Sequence, residues 1–256
     1  QRSGFMIINA FLQARFSSNR LPGKVLKTIS GKAMLLHQID RLRKSKKIDN
    51  IVILTSTDKS DDAINNLCKE NDIDCFRGDL NDVLLRFTQA LAIYPCDNVV
   101  RVTGDCPLLD WDVVDAIVSK HIEKNVDYTS NTITPTYPDG LDIEVIKSEC
   151  LFDIESRSKK PYEREHVTYS IYQNPNIYTL FNVTNPLGDE SEQRWTVDEL
   201  ADYEFICRVY NELYLDQPFT TKAVRELLHA QPYITQHNQG IERNEGLAKS
   251  LQECNE

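Results

Sequence analysis

Gln13-Ala14-Arg15-Phe16-Ser17-Ser18-Asn19-Arg20-Leu21-Pro22-Gly23-Lys24 follows directly on the apolar run Met6 to Leu12. The run reads as a buried first strand. Three cations, Arg15, Arg20 and Lys24, then fall within ten residues, separated by serines, an asparagine, a proline and a glycine. Such a loop can turn sharply and aim several donors at one anion. Arginine offers a planar fork for phosphate oxygens, and lysine a point charge. The stretch therefore reads either as a triphosphate cradle or as a solvated basic loop. Its place after a strand favours a ligand, because open α/β sheets bind at strand ends.

Working outward, the chain alternates. Met34, Leu35, Ile39 and Leu42 form one helical stripe, and the basic run Arg41 to Lys47 suits the end of that helix. Ile51-Val52-Ile53-Leu54 is a continuous apolar strand of the kind buried on both faces. Asp58 is placed to cap a helix carrying Ala63, Ile64, Leu67 and Cys68. A strand at Asp74 to Phe76, a helix with Val83, Leu84, Phe87 and Leu91, a strand at Val99 to Thr103 and a helix with Val113, Val114, Ile117 and Val118 follow. This alternation predicts an α/β fold with a mostly parallel central sheet and helices on both faces. Right-handed crossovers place the loops at 13–24, 55–58, 77–79 and 103–107 on one edge.

The second half is less regular. Strands are expected at Tyr128 to Asn131, Leu141 to Lys147, Ile177 to Val183 and Trp195 to Val197. Arg164-Glu165-His166 is expected to open a helix, and two further helices fall near 199–214 and 220–230. Residues 6–256 read as one domain, with about 128–193 as a smaller mixed β extension. Gln1 to Phe5 read as foreign to a native start at Met6.

The totals narrow the function classes. The chain has 256 residues and a net charge of −10, which argues against a general nucleic-acid binder. A basic loop on an acidic protein suits a small anionic ligand. No apolar run is long enough to span a membrane. Seven scattered cysteines form no C-x-x-C pair, and their odd number suits a reducing cytoplasm. Neither G-x-x-x-x-G-K-[ST] nor G-x-G-x-x-G occurs.

Several carboxylates compete for a chemical role. Asp105 follows a strand directly, in a glycine-proline turn, where it can hold Mg²⁺ beside substrate phosphates. It could equally bond its own backbone. Asp198 is a second acid at an expected strand end, and on its residues alone reads best as a helix cap. Asp110-Trp111-Asp112 resembles a nucleotide-sugar metal pair, but its place at a helix start makes it a capping feature. Asp139, Asp142 and Glu144 cluster beside Gly140, and Arg164-Glu165-His166 joins both charge signs to an imidazole. Either group could bind a polar acceptor or stay solvated.

These motifs together resemble the sugar cytidylyltransferases, which include the acylneuraminate and 3-deoxy-manno-octulosonate enzymes and the spore coat polysaccharide biosynthesis branch. The resemblance rests on Gln13-Ala14-Arg15, Arg20 to Lys24, Arg101 to Pro107, Tyr137 to Asp142, Arg164-Glu165-His166 and Arg194 to Asp198, in the family's order over roughly 6–215. It implies a GT-A-like, Rossmann-like fold and transfer of a nucleoside monophosphate, CMP from CTP, to a sugar with release of pyrophosphate. It implies that Arg15, Arg20 and Lys24 hold the triphosphate and that Asp105 and Asp198 bind Mg²⁺. Arg15, Lys24 and Asp105 form the expected catalytic set. Ala14, Ser17, Thr55, Asp79 and Thr103 complete the expected nucleotide side, and Asp139, Asp142, Glu144, Arg164 and His166 the acceptor side. It also implies a homodimer. One departure is Phe16, where the family commonly has a small residue.

Three rivals remain at this point. One is a guanylyltransferase using GTP. Another is a glycosyltransferase that leans on Asp110 and Asp112 for a metal. The third is a non-catalytic nucleotide-binding module.

Overall fold

The computed structural model describes residues 5–253. Residues 1–4 of the expected foreign leader, and Cys254, lie outside the described residues. The chain begins with β1 (Ile8–Gln13), a long loop, the hairpin β2 (Thr28–Ile29) and β3 (Lys32–Ala33), and α1 (Met34–Leu42). Then come β4 (Asn50–Ser56), α2 (Asp62–Glu70), β5 (Asp74–Gly78), α3 (Val83–Ile93), β6 (Asn98–Thr103) and α4 (Trp111–Lys124). The second half contains β7 (Tyr128–Ser130), β8 (Glu144–Lys147), α5 (Ser148–Arg157), α6 (Pro161–Glu165), α7 (Tyr169–Tyr172), β9 (Leu180–Asn182), α8 (Leu200–Leu213), α9 (Thr221–Ala230) and α10 (Glu245–Glu253).

A seven-stranded sheet runs in the order β5-β4-β1-β6-β8-β7-β9. Only β8 is antiparallel to its neighbours, so the β7–β9 extension continues the main sheet. Strand alternation divides the core. Ala10 and Leu12 of β1 enter one apolar layer with Ile39 and Ile117, while Phe11 enters the other with Phe87. The Phe11 and Phe87 rings meet edge to face at 5.9 Å. Each such buried side chain contributes roughly 1.5–3 kcal/mol.

Chain direction explains where a cleft can open. The chain steps outward from β1 to β4 and β5, and α3 then returns it to the other side of β1, as β6. The strand order thus reverses between β1 and β6, whose last residues Gln13 and Thr103 are register partners. A crevice outside the carboxyl ends of these two strands follows from that reversal.

Three local expectations are corrected. Trp195-Thr196-Val197 is no strand; apart from a single bridge between Asp139 and Arg194, its backbone bonds to loops. Trp195 N donates to Asp139 O at 2.6 Å and Val197 N to Asp105 O at 2.8 Å. Arg164-Glu165-His166 ends α6 rather than opening a helix. Pro161 starts that helix, and Val167, at φ 47°, stops it. Leu141 to Ile143 precede β8 instead of belonging to it. The side chain of Asn131 replaces the ladder there, donating to Leu141 O at 2.7 Å and accepting from Ile143 N at 3.0 Å.

Candidate active site

A cleft of about 760 Å³ opens at the β1–β6 reversal, a size that suits a nucleotide with a small acceptor. One wall is the loop after β1. Gly23 N donates to Phe16 O at 2.9 Å, which closes residues 16–23 into a compact turn. Gly23 sits at φ 67°, and a Cβ there would lie 2.9 Å from the Phe16 ring. Phe16 is therefore the clasp of this loop. Its backbone N–H is anchored by the fully buried Asp61 at 2.7 Å. Asp61 also accepts from the backbone N–H and hydroxyl of Ser56. The clasp leaves Arg15, Ser17, Arg20 and Lys24 lining the cleft.

Lys24 faces two acids. Its Nζ donates to Asp198 Oδ1 at 2.8 Å and to Val197 O at 2.8 Å, and lies 3.6 Å from Asp105 Oδ2. Asp105 is oriented by the Thr103 hydroxyl, which donates to Oδ1 at 2.6 Å. Burial alone would push the Lys24 pKa down, but Asp105 and Asp198 outweigh it and raise it. Burial likewise favours neutral Asp198, and Lys24, Arg20 and Arg194 reverse that, holding its pKa below the usual value. Asp198 does not cap α8; Glu199 does, with Asp202. Oδ2 of the fully buried Asp202 accepts from the N–H groups of both Asp198 and Glu199. Arg194 grips the same Asp202 at 2.9 and 3.0 Å and reaches Asp198 at 3.3 Å and Asp139 at 3.4 Å.

The opposite wall is acidic. Gly140, at φ 118°, lets the 139–142 loop pack on the 194–198 segment; a Cβ there would lie 2.6 Å from the Trp195 carbonyl carbon. This contact brings Asp139 and Asp142 to the cleft. Burial pushes both carboxyls up, Asp142 to about 7, against the pull of Arg243. Arg243 Nη2 donates to Asp142 Oδ1 at 2.5 Å. Glu144 lines the cleft but is fully engaged, by Arg101, Tyr128 and Thr168. His166 lines it too, bonded to the Ser250 hydroxyl at 3.0 Å, with its pKa lowered by burial.

Three expected site residues lie off the cleft. Thr55 is fully buried, and its hydroxyl has no hydrogen-bond partner among the described residues. Asp79 turns back on its own loop, accepting from Asn81 N and Asp82 N at 2.8 Å each; Leu80, Val83 and Arg86 line the cleft in its place. Arg164 ties Asp82 to Glu155 at 2.6 and 2.8 Å, stapling α3, α5 and α6. Asp110 caps α4 through Asp112 N at 2.8 Å, and neither aspartate lines the cleft. Sequence reading gave no role to Arg194, Asp202, Arg243 or Glu245. Arg243 and Glu245 meet partners 101 and 225 positions away, whereas Arg194 and Asp202 pair within one short stretch and only Arg194 sits in a legible motif.

Comparison with known proteins supplies the family. The sequence model of the cytidylyltransferase family matches residues 9–218, and the chain belongs to that family. The spore coat polysaccharide biosynthesis protein SpsF of Bacillus subtilis is 32% identical over 207 residues, covering 78% of this chain and 85% of its own. A 3-deoxy-manno-octulosonate cytidylyltransferase of Hydrogenovibrio crunogenus is 25% identical over 204 residues, covering 70% and 78%. The structure of a cytidylyltransferase from Leptospira borgpetersenii superposes with a TM-score of 0.87 at 31% identity, over 93% of this chain and all of that one.

Proposed function

We propose that this protein transfers CMP from CTP to a sugar and releases pyrophosphate, in the synthesis of a surface glycan. The observation that carries the reading is the convergence of Lys24 and Arg20 with Asp105 and Asp198 at the sheet's reversal point. In the reaction an acceptor oxygen forms a bond to the α-phosphorus, and the bond from that phosphorus to the β-phosphate oxygen breaks. Negative charge gathers on the departing pyrophosphate. Arg15, Arg20 and Lys24 supply fixed positive charge along that path, which accounts for most of the acceleration expected of such a site. Arg15 is exposed and makes no hydrogen bond or ion pair to another described residue, so it is free to meet a phosphate. Asp139 and Asp142 offer acceptors to sugar hydroxyls.

Asp105 and Asp198 suit Mg²⁺. They already embrace one cation, the Lys24 ammonium, from two sides. Among the described residues no group of three or more His, Cys, Asp or Glu is placed to hold a metal ion, so phosphate oxygens would have to complete the shell, as is usual for this ion. When bound, Mg²⁺ would supply Lewis-acid charge stabilisation at the phosphates.

The capping role of Asp110 and the absence of both Asp110 and Asp112 from the cleft weigh against the glycosyltransferase reading. A pyrophosphate-release screen of CTP, GTP and UTP against acidic and phosphorylated sugars tests the proposal. CTP-dependent release with one acceptor class is the expected result. Preference for GTP would transfer the reading to a guanylyltransferase, and release of a nucleoside diphosphate from a nucleotide-sugar would sink it.

A further inference from the structure

The segment from Arg243 to Glu253 lies beyond residue 218, where the match to the family's sequence model ends. It nonetheless touches three parts of the cleft. Arg243 donates to Asp142 Oδ1 at 2.5 Å and to Tyr137 O at 3.3 Å. Glu245, the first residue of α10, accepts from Arg20 Nη1 at 2.5 Å. Ser250 bonds His166 at 3.0 Å and donates to Glu165 at 3.1 Å. Asn244, Glu245, Gly246, Leu247 and Lys249 line the cleft itself.

The contacts differ in strength. The Arg243 side chain is 17% exposed and bonds a carboxylate and a carbonyl together. The Arg20–Glu245 pair is 36% and 41% exposed, and ion pairs of that kind are weak and open readily. Arg20 also faces Asp198 and Glu199, both at 3.4 Å, so three acids surround one guanidinium. A carboxylate in that position offers the same paired oxygens that a phosphate would.

We infer that α10 gates the nucleotide side of the cleft: Glu245 holds Arg20 in place of the triphosphate, and a polyphosphate must displace it while Arg243 keeps the segment anchored at Asp142. The inference rests on Arg20 belonging to the triphosphate cradle. Its consequence is a reduced apparent affinity, because only the fraction of molecules with the pair open can bind. The device belongs to this chain's own C-terminal segment, not to the part that matches the family model.

Calorimetric titration of the full chain with inorganic tripolyphosphate, and with CTP plus Mg²⁺, tests it. Glu245→Gln is expected to tighten both by about threefold to tenfold. A general loss of negative charge would do the same in any background, so the cycle with Arg20→Ala decides the cause. In the Arg20→Ala background Glu245→Gln should change nothing. Hydrogen exchange in α10 should quicken when tripolyphosphate binds. Equal affinities for wild type and Glu245→Gln, or the same gain with Arg20 absent, would overturn the gate while leaving CTP-dependent pyrophosphate release intact. The opposite pattern, a gate released by tripolyphosphate with no preference for CTP, would keep the gate and remove the cytidylyl reading. No binding of either polyanion to either protein would remove both.

Discussion

Lys24 Nζ donates to Asp198 Oδ1 at 2.8 Å, joining residues 174 positions apart. That single contact ties the loop after the first strand to the segment before α8. It also puts a cation where the two candidate metal-binding acids converge.

Lys24→Met keeps the length of the stem and removes the charge. It should lower kcat/KM for CTP by about a hundredfold, the usual loss for one charge-stabilising contact. Steady-state pyrophosphate release measures it, and a variant within twofold of wild type would remove Lys24 from the cradle.

Asp105→Asn should lose about as much turnover, with little change in stability. The backbone carbonyl of Asp105 still receives Val197 N, and the amide can still accept from Thr103. A Tm close to wild type together with lost activity is the expected pair. Normal activity would contradict the metal role.

Gly140→Ala should destabilise by about 2–3 kcal/mol or more, because strained backbone and a backbone clash combine. The new Cβ would lie 2.6 Å from the Trp195 carbonyl carbon and 2.7 Å from Thr196 N. Urea unfolding reads the loss. An unchanged midpoint would mean that the 194–198 segment yields freely.

Arg194→Leu should be worse than a typical surface change, by about 3–5 kcal/mol. It leaves the fully buried Asp202 without its guanidinium, although Asp198 N, Glu199 N and Asn238 still donate to it. Adding Asp202→Asn to Arg194→Leu should recover part of the loss. A double variant no better than the single one would assign the damage to packing.

The Asp142 carboxyl, pushed up to about 7 by burial despite its bond to Arg243, sets a pH dependence of opposite sign to that of an acid whose pKa is lowered on folding. A folded state that binds the proton more tightly is favoured at low pH. The contribution is fully present below the ordinary Asp pKa near 4 and is lost as pH rises towards 7. Denaturant melts of wild type and Asp142→Asn at pH 4 to 8 check it. The asparagine variant should gain on wild type across that range, and a constant gap would refute the shift.

The strands and helices of the first half were readable because each carries a complete local pattern. Leu35, Ile39 and Leu42 recur at helical spacing, and Ile51 to Leu54 form an unbroken apolar run. The acceptor side was less readable. Glu144 and Arg164 look like ligand residues in sequence, yet their charges are consumed by Arg101, Tyr128 and Thr168, and by Asp82 and Glu155. Trp195 to Val197 has the composition of a strand, but its hydrogen bonds go to the Asp105 and Asp139 loops.

The alternating sheet, the basic loop at its first strand end and the order of the motifs are all written in the amino-acid order. Periodicity, turn chemistry and charge spacing are local properties, written within a few neighbouring residues. Which charges stay free and which neutralise one another is set by the folded arrangement. Asp198 meets Lys24, Arg243 meets Asp142 and Glu245 meets Arg20 across a hundred residues or more of intervening chain. Such pairings depend on how strands and loops are brought together in space, and Coulomb attraction acts on that separation, not on distance along the chain.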